Sequence, residues 1–106
     1  MADDATFDFQ LPTHLAAGVY ANLLGVWHTG HEFTLDFATT QPAQQVEDGV
    51  VVIPATIVTR IKVPPGLVFD IIKTLNENMT TYERTFGEIK PPEPRAGQES
   101  PEPGDD

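Results

Sequence analysis

Cysteine is absent from the 106-residue chain, which excludes disulfides, thiol nucleophiles and thiolate metal sites. Serine occurs once, at Ser100, so the body of the chain offers no serine nucleophile, and no glycine-rich phosphate loop is present. Positive charge is scarce: six Lys and Arg stand against sixteen Asp and Glu, a formal charge of −10. That balance repels phosphate backbones and anionic bilayers over a Debye length of about 8 Å, so neither nucleic acid nor membrane is an expected partner. No apolar run approaches the ~20 residues that span a bilayer. The opening MADDATFDFQ has acids where a secretory signal needs positive charge and an apolar core. A cytoplasmic protein is expected.

What is present divides the chain in three. Residues 1–4 are expected to be a flexible N-terminus, 5–89 a single domain, and 90–106 a disordered tail. The tail, KPPEPRAGQESPEPGDD, holds five prolines and five acids and no large apolar residue, too little to offset the entropy of ordering it. Its PPEP and PEP pieces are either a docking motif in polyproline form or a solvating tail. Between Ala5 and Ile89 nine acids meet four bases, a net charge of −5, so the body is only moderately acidic.

The body reads as strands followed by one helix. TFDFQL sets Phe7, Phe9 and Leu11 against Asp8 and Gln10, the period-two pattern of a half-buried strand that Pro12 ends. YANLLGVWH is apolar on both sides, Leu24 and Val26 facing one way and Leu23 and Trp27 the other, with Gly25 marking a bulge or a close neighbour. EFTLDF alternates Phe33, Leu35 and Phe37 inward with Glu32, Thr34 and Asp36 outward. TTQPAQQVEDG reads as a polar loop ending in the turn pair Asp48-Gly49. VVVIPATIVTRIKV is rich in β-branched residues, broken or placed at an edge by Pro54; its second half sets Ile57, Thr59, Ile61 and Val63 against Thr56, Val58, Arg60 and Lys62. From Pro65 the spacing turns helical: Leu67, Val68, Ile71, Ile72, Leu75, Met79, Tyr82 and Phe86 form one apolar stripe. Pro65 suits the first turn and Gly87 the residue past the last. The fold class is α+β, an antiparallel sheet of about four strands followed by a C-terminal amphipathic helix.

This arrangement lacks cover. A helix is ~10 Å across, and four strands at ~4.8 Å make a face nearly 20 Å wide, so one helix roofs about half of it. Leu24, Val26, Trp27, Val51 and Ile53 are therefore expected at an interface, and a second copy of the chain is the simplest cover.

The Tyr20-Ala21-Asn22 lead-in, His28, Glu32-Phe33-x-Leu35-Asp36-Phe37 and the Asn78…Tyr82-Glu83…Phe86-Gly87 helix end together resemble a bacterial and archaeal family catalogued as domain of unknown function 3467. The likeness covers about Asp8 to Ile89. It implies a small strand-rich protein ending in a helix, with no reaction, cofactor or site to carry over. Related chains often enter the helix through a Ser- or Thr-Pro step followed by Ala-Lys; here Val63-Pro64-Pro65-Gly66-Leu67 stands instead.

Chemistry has one candidate centre. His28, His31 and Glu32 flank Thr29-Gly30, but zinc proteases hold their histidines one turn apart on a helix, whereas this segment reads as a hairpin with a tight two-residue loop. A metal held by His28 and His31, with His14 as a third ligand, would need a supporting shell that the sequence does not pledge. Glu32 and Asp36 stand about 13 Å apart along a strand, too far to share a proton. Arg60 and Lys62, doubled by a dimer axis, could form a basic ribbon for a DNA groove; on an acidic chain they read as edge protection. The sequon Asn78-Met79-Thr80 falls inside the helical pattern and is a chance match. No cofactor is expected. The leading expectation is a non-enzymatic, homodimer-forming protein-interaction or adaptor module, the alternative a metal- or small-molecule-binding protein or enzyme centred on His28, His31 and Glu32.

Overall fold

The computed structural model describes residues 5–42 and 45–91. The expected flexible residues 1–4 and nearly all of the Pro-rich tail lie outside them. A short 3-10 turn at Thr13–Leu15 precedes strands β1 (Leu23–His28), β2 (Phe33–Thr40), β3 (Gln45–Glu47), β4 (Val50–Val52) and β5 (Ala55–Val63), and helix α1 (Pro65–Phe86) follows. The main sheet is antiparallel in the order β1-β2-β5; β3 and β4 form a separate hairpin. The fold is α+β, as the hydrophobic periods require.

Register decides the two faces of the sheet, because directly paired residues project to the same side. Leu24 pairs with Phe37, Val26 with Leu35 and His28 with Phe33, while Phe33 pairs with Val63, Leu35 with Ile61 and Phe37 with Thr59. These residues make one largely apolar face. Trp27 with Thr34, Gly25 with Asp36, and then Arg60 and Lys62 opposite Asp36 and Thr34, make the other. A bulge between Phe37 and Ala38 shifts the register so that Ala38 meets Ile57. The extra residue moves Ile57 off the side that Thr59, Ile61 and Val63 occupy, a correction to the unbroken alternation.

Four further expectations are corrected. Thr6–Leu11 forms no strand: Phe7 and Phe9 are 86 and 91 % exposed and pair with nothing among the described residues, so the main sheet is three strands wide. The loop between β1 and β2 is four residues, Thr29 to Glu32, closed by the Thr29 N–H donating to the Glu32 carbonyl at 3.0 Å. Part of the polar loop is a strand, β3, turned onto β4 through Asp48 and Gly49 at φ 52° and 79°, the left-handed pair of a hairpin turn. Finally, the outward side of β2 is the more covered one, since Thr34 and Asp36 are buried while Phe33, Leu35 and Phe37 are half-buried.

The helix has the termini its sequence dictates. Pro65 opens it, where the missing N–H costs no hydrogen bond, and Gly87 ends it at φ 99° with its N–H donating to the Glu83 carbonyl at 3.0 Å. Its stripe finds little cover: no residue of α1 is buried, and Leu75, Met79, Tyr82 and Phe86 are 61, 46, 49 and 72 % exposed. Ala38 and Val63 are the only buried apolar residues among those described. No described helix is long and apolar enough to cross a membrane.

Candidate functional site

Two constructions occupy the two faces of the sheet. On the apolar face, Leu35, Phe37, Ile61 and Val63 floor an open groove of about 480 Å³. The first turns of α1 form its wall through Leu67, Ile71 and Leu75, and Asp70 and Thr74 are its polar lining. Pro64 and Pro65 set the angle at which the chain leaves β5 and places these turns over the sheet. From Met79 onward no helix residue lines the groove. Beside it Val19 approaches Phe37, Thr59 and Ile61, so the segment before β1 crosses this face. A wall and floor of this composition suit apolar side chains, with Asp70 and Thr74 at hand for a polar group.

On the opposite face a polar network crosses all three strands. Asp36, 3 % exposed, accepts from Trp27 Nε1 at 2.8 Å and from Arg60 Nε and Nη2 at 2.7 and 2.8 Å. A buried carboxylate survives only with its oxygens satisfied, and here both are. Arg60 holds its pKa down to about 2, against desolvation, which pushes it up, with the Trp27 hydrogen bond also lowering it. Asp36 in turn raises the Arg60 value. Gly25 leaves room for this geometry: a Cβ there would stand 3.4 Å from the Trp27 ring, at contact distance, and a larger side chain would meet the indole, which lies back across Gly25 to reach Asp36. The close neighbour expected at Gly25 is thus the indole two residues on.

The residues singled out in the sequence are dispersed. His28 stacks on Phe33 with ring centroids 5.2 Å apart. His31 is exposed, its N–H donating to Thr29 Oγ1 at 3.1 Å, and His14 stands in the 3-10 turn. Glu32 pairs with Lys62 at 2.9 Å, and Lys62 also donates to Thr34 Oγ1. No three His, Asp or Glu among the described residues come together in a way that could hold a metal ion. Arg60 and Lys62 are each tied to a carboxylate, so the basic ribbon is a row of ion pairs. Of the expected interface residues, Leu24 and Val26 lie on the apolar face, 50 and 46 % exposed, while Trp27 lies on the polar face. Val51 is half-buried in the hairpin and Ile53 half-buried beyond it.

The sequence did not point to Asp36 as the hub of a network. Its partners lie on neighbouring strands, 9 and 24 residues away, and only the register brings them together. The signal available was Gly25 inside an apolar strand beside the only tryptophan.

The chain matches, over residues 2–91, the profile of a family described as protein of unknown function (DUF3467). It belongs to that family. No curated protein and no solved structure matches it. The match spans the whole described body, so this DUF3467 chain has its sheet, groove and helix within the family region.

Proposed function

We propose that this DUF3467 domain is one half of a homodimer and works in the cytoplasm as a non-enzymatic protein-interaction module. The observation that carries the reading is the stripe of α1. Leu75, Met79, Tyr82 and Phe86 lie three or four residues apart and are each about half exposed or more, and the sheet leaves Leu24 and Val26 equally open. A helix with its apolar face in water forfeits about 1.5–3 kcal/mol per large side chain, and a body with so few buried apolar residues cannot offset that alone. A second copy brings an identical stripe and an identical open face, and a twofold axis lets each cover the other. The interaction role rests on what such a dimer leaves outside: the β3–β4 hairpin, with Val46 and Val50 71 and 57 % exposed, on an acidic body.

Replacing Leu75 and Met79 together by Glu tests the reading. The double variant is expected to sediment as an unfolded or partly helical single chain where the parent sediments as a folded dimer. A folded, fully helical monomer in the parent would refute it.

A further inference from the structure

The N-terminal arm carries a strand pattern without a strand partner. Phe7, Phe9 and Leu11 alternate with Asp8 and Gln10 and are 86, 91 and 69 % exposed. The Gln10 side chain donates to Asp8 Oδ2 at 3.0 Å, the contact made by residues two apart on one side of an extended chain. Behind the arm, Pro12 and a closed turn fix its departure, with Leu15 N–H to the Pro12 carbonyl, Ala16 N–H to Thr13 and Gly18 N–H to Leu15, at 3.0 to 3.2 Å. Although Val19 passes over the apolar face beside Ile61, the turn carries Phe7 and Phe9 off the body.

The molecule also carries an edge with no strand on it. β5 pairs with β2 alone among the described residues, and an open strand edge presents a row of backbone donors and acceptors ready for another strand. Arm and edge complement each other in both faces. A strand laid along β5 would set Phe7, Phe9 and Leu11 on the apolar side, continuing Ile61 and Val63 toward the groove, and Asp8 and Gln10 on the side of Arg60 and Lys62. Those two cations keep 55 and 53 % of their side chains exposed, and Arg60 uses only Nε and Nη2 on Asp36, leaving further guanidinium donors. The β1 edge places Leu23, Gly25 and Trp27 on that side and offers Asp8 no cation.

We propose that residues 6–11 of one copy add as a fourth strand to the β5 edge of the second copy, with Asp8 beside the partner's row of cations and the aromatic side chains closing its groove. The inference rests on the dimer reading and names the segment exchanged within it. Strand exchange between identical copies needs no new surface, only an arm too well directed to fold back on its own chain.

The absence of cysteine makes the test direct. Full-length chains carrying Gln10→Cys are mixed with longer-tagged chains carrying Lys62→Cys and joined with a short bis-maleimide; Leu23→Cys, on the same side of the sheet at the β1 edge, replaces Lys62→Cys as the opposite-edge control. A mixed product at Lys62→Cys at least about tenfold more abundant than at Leu23→Cys is expected. Equal yields, or efficient joining only when both cysteines lie in one chain, would overturn the arm exchange. In parallel, Phe7→Ser with Phe9→Ser is expected to raise the dimer dissociation constant at least about tenfold, the equivalent of one lost buried aromatic contact. A double variant that dimerises as tightly as the parent overturns the arm and leaves the dimer standing, whereas a monomeric parent overturns the dimer itself.

Discussion

Asp36 is the residue on which the polar face turns, and its chemistry sets a pH window. Its folded-state pKa, about 2, lies below the ~3.9 of an unfolded aspartate. The stabilisation is therefore complete above pH ~4 and is lost as pH falls through about 2. Thermal melts between pH 5 and 2, followed by the fluorescence of Trp27, the only tryptophan, are expected to show the parent losing stability in that window. Asp36→Asn is expected to start lower and to lose less as the pH falls; a variant that tracks the parent would show that Asp36 does not carry the dependence. Gly25 has a separate role. Gly25→Val drives branched methyls against the Trp27 ring and breaks its bond to Asp36, an overpacking that costs about 1–3 kcal/mol. Denaturant unfolding would measure it, and Trp27 emission would shift because the indole N–H loses its acceptor.

At the scale of elements, α1 joins an accurate start and stop to an incomplete environment. Gly87, at φ 99° and ψ 175°, occupies backbone space almost closed to other residues, so Gly87→Ala is expected to cost about 1–3 kcal/mol, measured by thermal or urea unfolding. A cost near zero would mean that the helix end relaxes without strain. The limits of α1 were legible because proline, glycine and a 3.6-residue period are local signals. The strands β1, β2 and β5 were legible for the same reason, through alternation and β-branching. Three features lay beyond local pattern. The bulge at Val58 changes no composition, so Ile57 reads as part of the Ile61 face until the pairing is known. β3 is three residues long and polar at its ends, too short for a period to register. The inversion of burial on β2 arises because Trp27, Arg60 and Lys62 arch over its polar side, which needs three strands in register. Phe7 to Leu11 is the reverse case, an alternating strand pattern in the sequence that forms no strand among the described residues.

For the whole molecule, the two faces of the sheet give opposite answers to whether a single chain is enough. The polar face closes within one chain, with both oxygens of a buried carboxylate satisfied and no buried side-chain nitrogen or oxygen without a partner among the described residues. The apolar face stays open, with an unfilled groove, a helix without a buried residue and an unpaired arm. The expectation that one helix cannot roof the sheet was argued from a width of four strands; the sheet has three, about 14 Å at ~4.8 Å each, and the helix still leaves it open because only its first turns wall the groove. The metal candidates His28, His31 and Glu32 go separate ways: His28 stacks on Phe33, the His31 N–H binds Thr29 within the loop, and Glu32 pairs with Lys62 across on β5.

Sedimentation equilibrium of the full chain from nanomolar to micromolar concentration, with circular dichroism on the same samples, tests the central claim most directly. The account predicts a twofold mass at micromolar concentration and a loss of helix signal in step with dissociation on dilution. A single-chain mass with undiminished helix across that range would contradict it.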